Sequence, residues 1–462
     1  MRVKYTLTFS EDCLIAYLSV SDDFSTEAEV LSEDGLRRFL AAQGVCFGIQ
    51  ESVIAQVLSQ GFGHHLEVAR GISPLQGADA YFESLVASRQ KKYYQLCERF
   101  HHRSDVSASD FRPLLVRPRL PVLKKHPATR GAPGITVTGD LIPGLWGADC
   151  EPPAMENLVV SPEDKNLWLS ACKGLCLFDL PHFIEVRPLL LLERDLNESL
   201  SFDGIVVVLG HIFDQVRLRA TDDVFITDVV EASVVVSMGS IYLQQGVKGK
   251  NTAVLRAAKN VYLNFAEHAT LEVGGELQAH SLFRCHTYTL GNCIADFIQG
   301  GETLSAQHLI SEKIGSRGIA TVVHGGFSDY LASAIEILEH QCEDLKERLL
   351  TIEAFLGNPQ FLVSAEKQVL RQHYYYQRPC LKYALQKQRY RLSTLYERKA
   401  SQKEAFISAS QGVMGDTTVS LCQFEHYQDK FIQGPLTYMS GRYGIIIKEA
   451  NEENRHENMH RY

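Results

Sequence analysis

The chain has 462 residues, 45% of them hydrophobic, and a formal net charge of −9 at pH 7. This length predicts about two to four domains with a sizeable buried core, and the acidic balance argues against nucleic acid as the main ligand. No stretch has the pattern of a secretory signal or the roughly 18 apolar residues of a membrane span, so we expect the eleven cysteines to be reduced thiols in the cytoplasm.

Residues 1–105 alternate strand and helix signals and predict a small α+β domain. The segment TLTFSEDCLIAYLSV predicts two short strands around a turn. A helix should follow, with Ser32 as its cap and with Leu36, Phe39 and Leu40 on one face, and a second helix should cover residues 51–59. Proline and glycine are frequent in residues 106–155, so we expect a β segment with many turns that joins this domain to the next.

Residues 156–326 carry almost no helix signal and show a short internal repeat. Seven five-residue words end in an apolar residue, and by subtraction their spacings are 19, 17, 20, 16, 16 and 16. Such a period is typical of a solenoid, in which successive coils pair at about 4.8 Å. We therefore predict a mainly β protein built on a right-handed parallel β-helix, with a β-sandwich as the alternative. The words end at Ile205, Val224, Ile241, Val261, Leu277, Cys293 and Leu309.

Two glycine pairs bracket the segment QGGETLSAQHLISEKIGSRGIATVVHGG. Because SAQHL is a word of the repeat, Gly300 and Gly301 should lie in the corner before the last coil. Gly315 and the pair Gly325–Gly326 should lie where the solenoid closes. A phosphate-binding loop is disfavoured, since no Gly-Lys-Ser/Thr follows and no strand, loop and helix surround the segment.

Residues 327–410 predict an antiparallel coiled-coil hairpin. The motif GNPQ at 357–360 should separate two helices, and Pro379 should kink or divide the second. The first helix is acidic and the second basic, so charge should help select the pairing, although each exposed ion pair contributes only about 0–1 kcal/mol. Strands should return at 411–450, and residues 451–462 should be disordered. The heptad seam of the first helix consists of Leu331, Ile335, Leu338, Cys342, Leu345, Leu349, Ile352 and Leu356.

The search for chemistry leads us to predict no catalytic, cofactor-binding or metal site. The histidine pairs His64–His65 and His101–His102 suit a surface, and Cys172 and Cys176 have no companion pair at zinc-ribbon spacing. Three residues of the solenoid, one cysteine between two histidines, are expected in turns or in stacks of side chains. Three aspartates of the solenoid could form the acidic row of a β-helix polysaccharide lyase, but the sequence offers no matching row of basic residues. These residues are His280, Cys285 and His286, and Asp222, Asp223 and Asp228.

The order of these parts resembles the bacterial flagellar assembly protein A family. The resemblance rests on GVCFGI at 44–49, VARGISPLQGADAYF at 68–82, GAPGITVTGDLIPGLWGAD at 131–149 and QGGETLSAQHLISEKIGSRGIATVV at 299–323. It implies a non-enzymatic cytoplasmic protein that supports flagellar assembly or placement at a cell pole through protein partners. For some members it also implies control by the glucose-specific phosphocarrier of the sugar phosphotransferase system.

Three hypotheses about function remain open at this point. The first is a flagellum-linked scaffold, the second is a carbohydrate-active β-helix enzyme, and the third is a rod that polymerises end to end. The missing charged face and the missing secretion signal count against the enzyme. The domains that flank the solenoid count against the polymer. The oligomeric state and the partner surface do not follow from the sequence.

Overall fold

The computed structural model describes residues 2–22, 29–101, 106–327, 329–357 and 365–449. Its α-helices are α1 (Glu33–Ala42), α2 (Glu51–Gln60), α3 (Ala87–His101), α4 (Ala108–Phe111), α5 (Asp329–Gly357) and α6 (Ala365–Ser401), with short 3-10 turns at Arg112–Leu114 and Gln402–Glu404. The strands before the solenoid are β1 (Arg2–Phe9), β2 (Ile15–Asp22), β3 (Glu29–Val30), β4 (Gly63–Arg70), β5 (Tyr81–Ser84), β6 (Leu115–Val116), β7 (Pro121–His126), β8 (Gly134–Ile135), β9 (Leu141–Ile142), β10 (Ala154–Glu156), β11 (Leu158–Val160), β12 (Leu167–Ser170) and β13 (Gly174–Asp179).

The remaining strands belong to the solenoid and its cap. They are β14 (Phe183–Leu192), β15 (Leu200–Phe202), β16 (Ile205–Val208), β17 (Arg217–Ala220), β18 (Val224–Ile226), β19 (Val234–Ser237), β20 (Ile241–Leu243), β21 (Gly246–Ala257), β22 (Val261–Tyr262), β23 (Phe265–Val273), β24 (Leu277–Thr289), β25 (Cys293–Ser305), β26 (Leu309–Ile314), β27 (Thr321–Gly325), β28 (Phe406–Val413), β29 (Thr417–Leu421), β30 (Phe424–Gln428), β31 (Ile432–Gln433), β32 (Leu436–Ser440) and β33 (Ile445–Glu449).

The chain forms two compact units, one of residues 1–83 with 124–151 and the other of residues 84–123 with 152–462. The predicted boundaries at 105 and 155 are therefore corrected. The glycine-rich residues 124–151 belong to the first unit because their backbone hydrogen-bonds to residues 72–80. Helix α3 belongs to the second unit because its residues Tyr93, Leu96 and Phe100 are buried against solenoid strands.

The first unit contains the predicted strands and helices. Its first four strands form an antiparallel sheet in the order β3-β1-β2-β4. The Ser32 side chain accepts a hydrogen bond from the Gly35 N–H at 3.1 Å and so caps α1, as predicted. Alternate residues of β2, Ala16, Leu18 and Val20, point into a core that also contains Leu36 and Leu40 of α1. Burial of one face of the sheet and of α1 thus fixes this unit.

The second unit is a parallel β-solenoid whose first ladder contains the predicted repeat. Val224 pairs in register with Ile241, Ile241 with Val261, and Val261 with Leu277. The ladder continues from Leu277 through Cys293 to Leu309, and all of these side chains are fully buried. The predicted stacking is therefore confirmed for six of the seven words.

The remaining word is displaced by one residue. Val206, and not Ile205, pairs with Val224, while Ile205 pairs with Leu189 and packs on the opposite face under α3. All four residues of β16 are buried, so this strand is apolar on both faces. A period-two pattern cannot define the register of such a strand.

Two further ladders complete the coils, and their inward residues share one core with the first. The second ladder begins with the bridges Leu196–Ile212–Val230–Val247 and continues through Ala266, Leu282, Ile298, Ile314 and Val413. The third consists of Leu200, Leu218, Val235, Leu255, Leu271, Thr287, Thr303, Val323 and Val419.

Hydroxyl groups at one corner explain the small polar residues in the repeated words. The Ser237 hydroxyl donates to the Asp222 carbonyl at 2.7 Å on the preceding coil, and Thr289 and Ser305 do the same to Gly275 and Gly291 at 2.6 and 2.8 Å. Each hydroxyl also accepts from the N–H two residues later. These bonds satisfy backbone groups that the turn removes from the ladders.

A different corner of the coil is formed by glycine. Gly300 and Gly301 lie at this corner within β25, as predicted. Their φ angles are +73° and +76°, and a Cβ on Gly301 would lie 2.2 Å from the Cys285 carbonyl oxygen. His268 and Arg284 adopt the same left-handed conformation at the matching corner of the two preceding coils. The glycines therefore shape a turn.

Closure of the solenoid at residue 326 was predicted wrongly. Strand β26 pairs in parallel with β28, and β27 pairs in parallel with β29, so residues 406–421 form a further coil. Leu309 stacks directly on Ile407. The helical hairpin is thus an insertion between two coils, and its ends are close, since the Gln402 side chain donates to the Phe327 carbonyl at 3.0 Å.

The helical hairpin lies along the solenoid. Helices α5 and α6 run antiparallel, with Lys382 3.8 Å from Glu353 and with Tyr396 bonded to Glu339. Leu331, Ile335, Leu338 and Leu395 are buried with Ala306 of the solenoid. Helix α6 runs through Pro379 without being divided, and the predicted disordered tail and most of the GNPQ break lie outside the described residues.

Antiparallel strands adjoin the first end of the solenoid and cover the second end. At the first end, residues 183–188 of β14 pair with β13 before residues 189–192 enter the solenoid. At the other end, β28 pairs with β31 and β32, β29 with β30, and β32 with β33. The strands at the second end occupy the edges through which bare β-solenoids associate.

Candidate functional site

The sequence candidates for metal or nucleophile chemistry occupy structural positions. No cluster of three or more His, Cys, Asp or Glu side chains suited to a metal ion occurs among the described residues. His65 stacks on Tyr17 at 4.0 Å, and His64 lies beside it in β4. Cys172 and Cys176 lie on the segment that leads into β14, and burial raises the pKa of Cys176 to about 12. His102 lies outside the described residues.

The solenoid histidines contact the neighbouring coils. His280 Nδ1 lies 2.6 Å from Asp296 one coil later, and the His280 ring meets Phe297 edge to face. His286 Nδ1 lies 3.8 Å from Glu302. Cys285 points inward, and burial raises its pKa to about 11, so this thiol is not a ready nucleophile.

The predicted acidic row separates into three different environments. Asp223 is buried, accepts from the Tyr93 hydroxyl and the Ser240 N–H, each at 2.7 Å, and so joins α3 to the solenoid. Asp222 lies 3.1 Å from Arg187. Asp228 accepts from the N–H of the next residue at 2.8 Å. These three carboxylates do not form one catalytic row.

Basic groups that the sequence pattern missed complete a charged cluster around Asp222. Arg187 on β14 pairs with Glu185 at 2.5 Å as well as with Asp222. Burial raises the pKa of Asp222 to about 6, against the lowering effect of Arg187. Lys387 of α6 lies beside the cluster, and desolvation of its ammonium group lowers its pKa. These partners lie far apart in the sequence, so no local motif could have revealed them.

This charged cluster forms part of the contact between α6 and the solenoid. A cavity of about 150 Å³ beside it is lined by Phe183, Glu185, Cys380, Tyr383 and Lys387 among others. The Tyr383 ring stacks on Phe183 at 4.4 Å. The chemistry of the charged cluster suits a polar joint that holds the helix, since two carboxylates, Glu185 and Asp222, share the Arg187 guanidinium.

The first unit presents a second feature, which we name the glycine layer: residues 71–77, 129–135 and 141–147. The segments pair backbone to backbone through β8, β9 and single bridges. A Cβ at Gly77, Gly131 or Gly144 would lie only 1.9, 1.9 or 2.0 Å from a carbonyl oxygen of a neighbouring segment. The backbones therefore touch with no room for side chains between them.

Because the glycine layer has no interior, its large apolar side chains are exposed. Five of them are between 56% and 73% exposed. They lie on neighbouring segments of the layer, since the Leu145 N–H donates a hydrogen bond to the Leu75 carbonyl at 3.1 Å. Concentrated exposure of this kind marks interaction surfaces. We name Ile72, Leu75, Leu141, Leu145 and Trp146 the exposed apolar set.

Polar contacts support the glycine layer and the residues beside it. The Arg130 Nε donates to the Gly144 carbonyl at 3.1 Å, and the Thr129 hydroxyl accepts from the Ala78 N–H at 2.9 Å. Lys125 pairs with Asp149 at 2.7 Å and lowers the pKa of that carboxyl. A fixed surface loses little conformational freedom when a partner binds.

The parallel coils and the helical hairpin inserted between two of them place the chain among the β-solenoid proteins. Two family models match the chain: the Flagellar Assembly Protein A N-terminal region over residues 5–180, and the Flagellar Assembly Protein A beta solenoid domain over residues 199–440. The chain belongs to the flagellar assembly protein A family, as the sequence resemblance indicated. No curated protein and no solved structure matches it.

Family membership associates the chain with flagellar assembly and with protein partners. Two of the segments on which the resemblance rests have different places in the fold. Segment 131–149 forms most of the glycine layer, and segment 299–323 forms the last corners before the hairpin. No helix in the described part of the chain has the length and apolar character that crossing a bilayer requires.

Proposed function

We propose that the protein is a non-enzymatic scaffold that supports flagellar assembly by binding a protein partner through the exposed apolar set. The observation that carries this proposal is the exposure of Leu141, Leu145 and Trp146 on a backbone held rigid by glycine contacts. Tryptophan is one of the side chains that dominate the binding energy of protein interfaces, and apolar neighbours such as Leu141 and Leu145 would exclude water around it.

The test replaces Leu145 and Trp146 together by Ser and returns the variant to a strain that lacks the gene. We expect loss of flagella and swimming, counted by electron microscopy and on soft agar, because removing one aromatic anchor costs about 2 kcal/mol or more of binding. Phe62→Ser is the matched control, since Phe62 is exposed in the same unit but outside the glycine layer. Full motility of the double variant, with circular dichroism showing a folded protein, would contradict the proposal.

A cytoplasmic location at the flagellated pole belongs to the same proposal and is supported by the family resemblance. A fluorescently tagged full-length chain should form one focus at the flagellated pole. Diffuse fluorescence in cells that still make flagella would refute polar placement while leaving the scaffold role intact.

Control by the glucose-specific phosphocarrier is a finer proposal, supported by the resemblance. Phosphorylation of a histidine on the carrier would add negative charge to a desolvated contact. The net charge of −9 on this chain would favour the unphosphorylated carrier at an acidic contact, whereas at a basic patch such as Lys124–Lys125 or helix α6 phosphorylation would strengthen binding. A pull-down with both forms of the carrier decides the matter. Equal binding, or no binding at micromolar concentration, would exclude this control.

Observations of the structure disfavour both alternatives. The antiparallel strands on β28 and β29 oppose end-to-end polymerisation through the second end of the solenoid, so light scattering across a concentration series should show no growth in size. For the carbohydrate enzyme, the aspartates of the proposed row are separated, and Asp223 is buried against Tyr93.

A further inference from the structure

Helix α6 meets the solenoid through one stripe of its surface. The Cys380 Sγ lies 3.5 Å from the Met155 carbonyl oxygen, and Arg398 donates to a solenoid carbonyl at 3.2 Å. Between them, Ala384 and Lys387 line the cavity of about 150 Å³. Steps of four, three, four, three and four residues keep such positions on one face of a helix. We name this set the docking stripe: Cys380, Ala384, Lys387, Arg391, Thr394 and Arg398.

The docking stripe carries polar or small side chains and is not deeply buried. None of its six residues, all of which the structure describes, is fully buried, and Lys387 is exposed. Helix α5 differs, because its Leu331, Ile335 and Leu338 are at most 8% exposed and belong to one cluster with Ala306 of the solenoid. A helix on a stable core normally turns its apolar stripe toward that core. The contact of α6 with the solenoid therefore gains little from apolar burial.

This contact is loosely packed where α6 passes β10 and β14. The cavity is lined by Ala384 of the helix and by residues of both strands, and atoms that line a cavity lack dispersion contacts on that side. The Tyr383 ring reaches the solenoid by stacking on Phe183 at 4.4 Å. Lys387 adds little attraction, because the carboxylates beside it already share the Arg187 guanidinium.

The other end of α6 is anchored more firmly. The Arg398 Nη1 donates to the carbonyls of Gly274 and Leu290 on two neighbouring coils, each at 3.2 Å. The Gln307 Nε2 donates to the Arg398 carbonyl at 3.0 Å and to the Ser401 hydroxyl at 2.9 Å. The apolar cluster of α5 lies at the same end of the hairpin. Polar and apolar contacts together thus hold the hairpin at its base.

We propose that the helical hairpin is a hinged strap: its base, residues 327–338 and 395–404, stays on the solenoid while the distal part around Tyr383 and Lys387 lifts away and returns. Small, polar contacts within a chain permit relative motion, whereas large apolar contacts prevent it. Lifting gives up only the weak contacts of the docking stripe, but moving the base would expose Leu331 and Ile335. The open strap uncovers the Phe183 ring. The exposed apolar set takes no part in this motion, so the strap and the proposed function are tested separately.

The experiment measures distances between two spin labels on the full-length chain by double electron–electron resonance. The labels are attached to p-azidophenylalanine, which avoids the eleven cysteines. One label stands at Met238, an exposed residue of the solenoid, and the other at Gln386 or Ala400, which are exposed on α6. We expect a short and a longer distance for the 386–238 pair and one narrow distance for the 400–238 pair. A single narrow distance for both pairs, or a second distance for the 400–238 pair, would overturn the proposal.

Substitutions at the joint have opposite expected signs. Replacing Lys387 and Arg391 together by Leu makes the docking stripe more apolar and should reduce the longer population of the 386–238 pair about threefold. Phe183→Ala removes the stack on Tyr383 and should raise that population about threefold. Arg389→Leu is the matched control, since Arg389 is exposed on the same helix outside the stripe. With helix and strand signals retained in circular dichroism, unchanged populations in both test variants, reversed signs, or an equal effect of Arg389→Leu would refute the hinged strap.

Discussion

Replacing Ile241 by Asp tests the inward register of the solenoid. Ile241 is fully buried and pairs in register with Val224 on one side and Val261 on the other. Loss of its burial removes about 1.5–3 kcal/mol, and a carboxyl group without a partner among apolar neighbours costs at least about 1–3 kcal/mol more. The sum, on the order of 4 kcal/mol, is a large part of the roughly 5–15 kcal/mol by which folded proteins are stable.

The assay is urea unfolding followed by far-ultraviolet circular dichroism. Each coil is stabilised mainly by its neighbours, so we expect the strand signal of the Ile241→Asp variant to be lost at much lower urea. A buried carboxyl has a raised pKa, because burial disfavours its charged form. The folded state then binds the proton more tightly than the unfolded state, and the destabilisation should be smaller at pH 5 than at pH 8.

Met238→Asp is the matched control, because Met238 lies at the preceding corner and is 62% exposed. It should unfold at nearly the urea concentration of the unchanged chain. A soluble Ile241→Asp variant with an unchanged midpoint would show that position 241 does not face the core, and the assigned register would fail.

Three further predictions follow from other contacts. Deleting residues 328–404 and joining Phe327 to Ala405 through a short flexible linker should preserve the strand signal in circular dichroism, because Gln402 lies within hydrogen-bonding distance of Phe327; loss of all strand signal would show that the hairpin is needed for folding. Gly144→Ala should lower stability by about 1–3 kcal/mol, since its Cβ would lie 2.0 Å from the Gly131 carbonyl oxygen, whereas Gly444→Ala, with no neighbour within 4 Å, should not; equal urea midpoints would contradict the close packing of the layer. The raised pKa of Asp222, about 6 when folded, means that the folded state holds this proton more tightly, so its contribution makes the chain less stable as pH rises from about 4 to about 6. Asp222→Asn should therefore be at least as stable as the unchanged chain at pH 7.5 and should lose that advantage at pH 4; a variant that is destabilised only at pH 7.5 would reverse the sign.

The solenoid core could be predicted from the sequence because each coil contributes one inward residue at a nearly constant position. Stacking repeats that position along the chain, and six words were found in register without a structure. The word at Ile205 failed because β16 is buried on both faces. Where only one face of a strand is buried, the alternation of apolar and polar residues specifies the register. Where both faces are buried, no such alternation exists and the register cannot be read from the sequence.

The last coil and the charged cluster could not be predicted in the same way. Ile407 stacks directly on Leu309, although the helical hairpin separates the two residues in the sequence. A search for repeats ends at such an insertion because the period is broken there. Arg187 and Lys387 reach Asp222 from β14 and α6, so their meeting depends on how the chain folds back. Exposure of Trp146 follows from the glycine contacts of several segments, which only the assembled backbone reveals.

A solenoid of this construction separates stability from recognition. Inward residues such as Val261 and Leu277 are held in one core by neighbours above and below, whereas the outward residues between them contribute little to that core. Tyr288 and Glu272 are such outward residues, and the register that stacks the core also sets the spacing of about 4.8 Å between coils that brings them together. Substitutions on the outer face can therefore change the surface beside the hairpin without disturbing the coils, and the hairpin, inserted where its ends lie close together, does not interrupt the ladders.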